Sequence, residues 1–109
     1  MPNGLFRKKN GNGLKKLNDY KDYVRQFEIE SGFDRSTVPE LIKLLQDQVN
    51  NLKAATEGIG KSEQEYLENK MIDVIILVMQ IANRYHANLD AEWKKHWERQ
   101  EIYRTRKIG

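Results

Sequence analysis

The most constraining feature of this sequence is an apolar run, residues 71–82, that contains a single acid. Only Asp73 and Gln80 interrupt a series of Met, Ile, Leu, Val and Ala residues. A helix that is apolar on every side is typical of the centre of a helical bundle. A carboxylate in that position must be paired, hydrogen-bonded or bound to a metal, because an unpartnered buried charge is very costly. The run therefore predicts a central helix in which Asp73 has a partner, either a metal ion or Lys70.

The composition favours an all-α fold, because helix-forming residues dominate and the chain has only two prolines. Residues 17–109 are predicted to form one helical domain of four helices. Residues 1–16 are predicted to form a flexible basic segment, since they are rich in Gly and Asn and carry five of the 19 basic residues without any acid. The remainder has 14 basic and 16 acidic residues, so the body of the protein is near neutral.

Capping and turn residues predict where these helices begin and end. The first helix is expected from about residue 14 to Ser31, and the central helix is expected to reach Tyr85. The predicted boundary residues are, in chain order, Gly32 as a left-handed stop, Thr37 with Glu40 as a capping box, Ser62 with Glu65 as a second capping box, and Asn88 or Asp90 as a cap of the fourth helix. On that last helix Trp93 and Trp97 are spaced to lie on one face.

Several classes of protein are disfavoured by composition. The chain has no cysteine, which excludes disulfides, thiolate metal sites and a cysteine nucleophile. The apolar run of 12 residues is shorter than the roughly 20 that a membrane-spanning helix needs. Because residues 1–16 also lack the apolar core of a secretory signal, we expect a cytoplasmic protein without a membrane partner.

Three stretches carry a resemblance to a known family: residues 45–52 (LQDQVNNL), 69–75 (NKMIDVI) and 81–90 (IANRYHANLD). They resemble the MazG-like all-α nucleoside triphosphate pyrophosphohydrolases, which have an EExxE run, an EExxD run and a phrase such as LANxxGIDL in these places. The resemblance covers about residues 17–103. It implies a four-helix MazG-like bundle assembled as a dimer or tetramer. It also implies Mg²⁺ held by carboxylates and conversion of a nucleoside triphosphate to the monophosphate and pyrophosphate.

The chain departs from these motifs at the expected metal ligands. Gln48 and Asn51 replace glutamates by amides, and Lys70 replaces a glutamate by a cation that would repel Mg²⁺. Only Asp73 remains an acid among the expected inner ligands. The Lys70 ammonium is therefore predicted to take the metal's place and to pair with Asp73, with the two amides completing the network. Catalysis would then be weakened or lost.

A candidate nucleotide-binding or degenerate metal pocket follows from the same alignment of motifs. It comprises Asp47, Gln48, Asn51, Lys70, Asp73 and Asn83. No catalytic residue is assigned, and Asp73 is the metal ligand if Mg²⁺ binds there. A displaced site rebuilt by Glu65, Glu68 or Asp47 stays open as an alternative. Asn83, in the third stretch, could contact a nucleotide or a neighbouring subunit, or it could cap the helix end.

Two function hypotheses from different classes remain. In the first, the chain is a divergent pyrophosphohydrolase-related protein that binds nucleoside triphosphates with weakened or lost catalysis. In the second, it is a non-enzymatic helical interaction or assembly module that uses the tryptophan-bearing helix. Trp93 and Trp97, with Lys94, Lys95 and Arg99 nearby, could stack a base, but packing in the core or across a homo-oligomer is preferred. Nucleic-acid binding, which would use basic residues 7–16, is the least favoured.

Overall fold

A computed structural model describes residues 16–58 and 64–108, with side chains described as far as residue 104. Four helices occur in these ranges: α1 (Leu17–Ser31), α2 (Val38–Thr56), α3 (Gln64–Arg84) and α4 (Leu89–Ile108). The described ranges contain no strand. The prediction of an all-α chain with four helices is confirmed. The predicted basic segment lies outside the described residues except for Lys16, which directly precedes α1.

The end of α1 follows from local sequence. Gly32 adopts a left-handed conformation with φ 80°, which only glycine reaches without steric cost. The backbone N–H of Phe33 then donates to the carbonyl of Glu28 at 2.8 Å, and the rings of Phe27 and Phe33 lie 6.3 Å apart. The predicted stop at Gly32, with Phe33 folded back over the helix end, is confirmed.

The start of α2 also follows from local sequence. The backbone N–H of Glu40 donates to Thr37 Oγ1 at 3.3 Å, and the backbone N–H of Thr37 donates to Glu40 Oε1 at 2.8 Å. This reciprocal arrangement is the predicted capping box. The second predicted box cannot be compared, because Ser62 lies outside the described residues, although Glu65 is in the first turn of α3.

The connection from α3 to α4 is a tight turn. His86 has φ 53°, and the backbone N–H of Ala87 donates to the carbonyl of Ala82 at 3.0 Å, which closes the end of α3. Asn88 caps α4 by accepting from the backbone N–H of Ala91 at 3.0 Å. Of the two predicted caps, Asn88 therefore has this role.

Helix α3 is the central helix of the described fold, because it packs against both α2 and α1, whereas α4 contacts α1. Within the described ranges the buried hydrophobic residues are few, and they are Leu41, Ala55, Leu77, Met79 and Ala82. Leu77, Met79 and Ala82 lie on α3, and Leu41 and Ala55 lie on α2. No helix of the described chain is long and apolar enough to cross a lipid bilayer.

The prediction that α3 is enclosed on every side is wrong for the single chain. Five of its aliphatic residues are 40–51% exposed, and they are Met71, Ile72, Ile75, Ile76 and Val78. The physical reason is geometric: α1 and α2 cover only part of a cylindrical helix surface, and no described segment covers the rest. Trp93 and Trp97 are also exposed, at 58% and 51%, so they do not pack in the core of this chain.

Candidate functional site

The predicted pairing of Lys70 with Asp73 is present. Lys70 Nζ lies 3.1 Å from Asp73 Oδ2, since residues three apart on a helix share a face. Both side chains are partly shielded, at 18% and 33% exposure. The Lys70 ammonium also lies 5.3 Å from the centre of the Tyr66 ring, a cation–π contact. The acid in the apolar run thus has a cationic partner one turn away.

The amides expected to complete this network do not do so. Asn51 Nδ2 donates to Gln48 Oε1 at 3.4 Å, and neither amide hydrogen-bonds to Lys70 or Asp73 within the described chain. The reason is that Asn51 faces solvent on α2. The two amides pair along their own helix, so this part of the prediction is wrong.

Asp47 and Asn83, the remaining members of the predicted pocket, make contacts elsewhere in the chain. The Asp47 carboxylate lies 4.0 Å from Lys43 Nζ on the exposed side of α2. Asn83 Nδ2 donates to the carbonyl of Lys21 at 2.9 Å, which ties the end of α3 to α1. Asn83 therefore makes an interhelical contact inside this chain.

The donor set at Asp73 does not fit Mg²⁺. This ion prefers octahedral coordination by oxygen, and protein carboxylates supply the charge that offsets its dehydration. Asp73 offers one carboxylate, which is already paired with an ammonium group. Across the two described ranges, no three His, Asp or Glu residues gather closely enough to hold a metal ion. Glu68, one alternative ligand, accepts from Gln64 on its own helix at 2.9 Å.

The fully buried charge is on α1 and was not predicted. Glu28 has no solvent exposure, and both of its carboxylate oxygens are engaged by Arg84, at 3.1 Å and 2.9 Å. Gln80 Nε2 donates to the same carboxylate at 2.8 Å, and Arg84 Nε donates to the carbonyl of Ser36 at 3.2 Å. This network joins α1, α3 and the α1–α2 loop, so its role is structural.

A sequence signal for this network exists. Glu28 is four residues after Val24, on the apolar stripe of α1, where an acid is unexpected. Gln80 and Arg84 are four residues apart and so share a face of α3. The sequence pattern therefore places Glu28, Gln80 and Arg84 on buried helix faces, but it does not predict that they contact one another.

An open apolar groove of about 600 Å³ lies between α1 and α3. Its lining residues are Leu17, Tyr20, Tyr23, Val24, Phe27, Ile72, Ile75, Ile76 and Met79. None of these nine residues carries an acidic or basic side chain. The lining offers no cation for a phosphate group and its surface is mainly apolar, so this groove, hereafter the α1–α3 groove, suits apolar side chains.

A second, smaller opening of about 370 Å³ lies along α2 and includes Asp47. It is lined by Ser36, Glu40, Lys43, Leu44 and Asp47. Its acids already have partners, since Glu40 serves in the α2 cap and Asp47 lies beside Lys43. The opening therefore presents a solvated polar surface.

The exposed aromatic residues of α4 form the other unusual surface. The rings of Trp93 and Trp97 meet edge to face with centres 5.9 Å apart, and His96 lies 5.0 Å from Trp97. Beside them Arg99 donates to Glu92 at 3.0 Å, and this hydrogen bond lowers the pKa of the Glu92 carboxyl. Every described α4 residue from 91 to 104 is exposed.

Comparison of the chain with models of protein families, with curated proteins and with solved structures gave no match.

Proposed function

We propose that this chain is a non-enzymatic helical assembly module that associates with further copies of itself through the α1–α3 groove. The single observation that carries the proposal is the groove together with the exposed aliphatic face of α3. Isolated exposed apolar residues are normal on proteins, but a contiguous apolar patch marks an interaction surface.

The scale of the patch supports self-association. Fully burying one Val, Leu, Ile, Phe or Met side chain is worth about 1.5–3 kcal/mol. Four large groove residues are about half exposed, and they are Tyr20, Phe27, Ile72 and Ile75. Because water still contacts them, much of the free energy of burying them is not gained in the single chain. Only five hydrophobic residues of the described chain are buried, and small domains with modest cores are often completed by oligomerisation.

The test is the oligomeric state of the full chain with a matched pair of variants. Ile75 lies in the groove and Ile29 outside it, and each is 47% exposed. We expect Ile75→Asp to dissociate the assembly in sedimentation equilibrium, because the new carboxylate would be buried without a partner. Ile29→Asp should leave the assembly intact. Circular dichroism of both variants establishes that the helices persist.

A wild-type chain that stays monomeric at concentrations well above the micromolar range contradicts this proposal. Equal effects of Ile75→Asp and Ile29→Asp also contradict it, because the groove would then have no special role.

The second candidate is a divergent MazG-like nucleotide pyrophosphohydrolase-related protein with weakened or lost catalysis. The Lys70–Asp73 ion pair favours it, since an ammonium group stands where the family motif has a metal-binding acid. A partly shielded lysine of this kind can hold a phosphate oxygen directly, as a point charge. Pyrophosphate release from a panel of nucleoside triphosphates with Mg²⁺ tests activity, and thermal shift with the same panel tests binding.

The variant Lys70→Glu distinguishes the candidates further. It would place two carboxylates three residues apart on one helix face with Asp73. If the site descends from a metal pocket, Mg²⁺ should raise the melting temperature of this variant but not of the wild type. Lys53→Glu, at an exposed position on α2, is the control. No Mg²⁺ effect on Lys70→Glu, with no nucleotide binding by the wild type, removes this candidate.

A further inference from the structure

We infer that the α1–α3 groove of one copy receives the α4 helix of a second copy, with Trp93 and Trp97 seated in the groove. The inference rests on the proposed self-association and names the element that supplies the contact. The α1–α3 groove and the exposed pair Trp93 and Trp97 are two apolar surfaces on the same chain. No other described residue buries either surface.

Helix α4 needs a partner on physical grounds. It has 20 residues, and all its described side chains from 91 onward are exposed. A helix in water gains most of its stability from packing an apolar face, and not from intrinsic propensity. Trp93 and Trp97 provide such a face, because they are four residues apart and their rings already contact each other.

The attachment of α4 holds it away from the groove of its own chain. The Asp90 carboxylate accepts from the backbone N–H groups of Leu17 and Asn18, at 2.9 Å and 3.1 Å. The backbone N–H of Leu89 donates to Asn18 Oδ1 at 2.9 Å. These bonds fix the first turn of α4 at the start of α1, and from there the tryptophans stay in solvent. The groove of each copy can instead receive α4 of the other copy. This exchange gives a closed two-fold dimer.

The area available matches a specific dimer. A tryptophan buries roughly 150–250 Å² in a protein interior, and about half of each of these two residues is exposed here. Two-fold symmetry doubles the contact, and each ring covers a similar area of groove. The total is roughly 600–1,000 Å², which reaches the lower limit for a specific interface before the flanking residues are added.

The first experiment measures dimer affinity by sedimentation with the full chain. The double variant Trp93→Ala/Trp97→Ala should weaken dimerisation by roughly 100-fold or more, because buried tryptophans are typical interface hot spots. Ile102→Ala is the matched control: Ile102 is an exposed apolar residue of α4 nine positions after Trp93, and so lies on the opposite face of the helix. It should change the affinity little.

The second experiment uses the absence of cysteine from the chain. A chain with Ile76→Cys is mixed with a chain with Gln100→Cys, whose position shares the tryptophan face, and the mixture is oxidised. A disulfide between the two different chains is expected. Glu98→Cys, which lies off that face, should give much less of it.

The outcomes separate the inference from the proposed function. Dissociation by Ile75→Asp together with unchanged affinity of the tryptophan double variant would overturn the inference and leave self-association through the groove in place. A monomeric wild type would overturn both. Equal disulfide yields from Gln100→Cys and Glu98→Cys would also overturn the inference, because α4 would then have no fixed orientation in the groove.

Discussion

Glu28 is a fully buried charged residue that joins α1 to α3 in the described bundle. Its carboxylate is fully buried, and it accepts from Arg84 Nη1 and Nη2 and from Gln80 Nε2. Each oxygen has a donor, which is the condition under which a buried charge is tolerated. The exposed ion pairs, such as Arg99 with Glu92, contribute much less, because water screens them.

Glu28→Ala is therefore expected to lower the free energy of unfolding by about 3–5 kcal/mol, since Arg84 would remain buried without its partner. Urea denaturation followed by circular dichroism measures the change. Glu30→Ala, on the exposed side of the same helix, should stay within about 0.5 kcal/mol of the wild type. If Glu28→Leu/Arg84→Leu loses as much stability as Glu28→Ala, the uncompensated charge is not the cause.

At the scale of the element, α1 and α4 share one capping arrangement. Asp90 lies in the first turn of α4 but caps the start of α1, and Asn18 of α1 accepts from the backbone of α4 while it donates to Asn88 at 2.9 Å. Two helix N-termini are thus satisfied together. A carboxylate at this place also interacts favourably with the dipole of α1.

Asp90→Ala should lower the free energy of unfolding by about 1–2 kcal/mol, because two backbone N–H groups of α1 lose their acceptor. The amides of Leu17 and Asn18 should also exchange hydrogen faster. Glu98→Ala, an exposed change on the same helix, is the control and should show neither effect. Unchanged exchange at Leu17 in Asp90→Ala would mean that the cap does not hold this end of α1.

At the scale of the whole molecule, the chain is extended for its length. The radius of gyration is 16.9 Å, whereas a compact domain of 100 residues has about 13 Å. Apolar surface on α1, α3 and α4 stays in contact with solvent as a result. An assembly of several copies would cover this surface, and its stability would then depend on protein concentration.

The melting temperature is expected to rise with protein concentration, because association stabilises the folded state by mass action. Differential scanning calorimetry over a hundredfold range of concentration measures this. Ile75→Asp should abolish the dependence, and Ile29→Asp should retain it. A melting temperature independent of concentration in the wild type would show that the chain unfolds as a monomer.

Features that depend on neighbouring residues could be predicted from the sequence. The stop at Gly32, the capping box of Thr37 and Glu40, and the Lys70–Asp73 pair all join residues within one helical turn or one tight turn. Their geometry follows from backbone sterics and helix periodicity, so spacing alone predicts them.

Contacts between helix faces could not be predicted from the sequence, because they depend on how the helices pack. Glu28 finds Gln80 and Arg84 across more than 50 residues, and Asp90 caps a helix that begins 73 residues earlier. The sequence shows that residues 71–82 are apolar on nearly every side, but not that α1 and α2 leave one side of this part of α3 open. Burial depends on how many elements surround a helix, and that number is a property of the packed molecule.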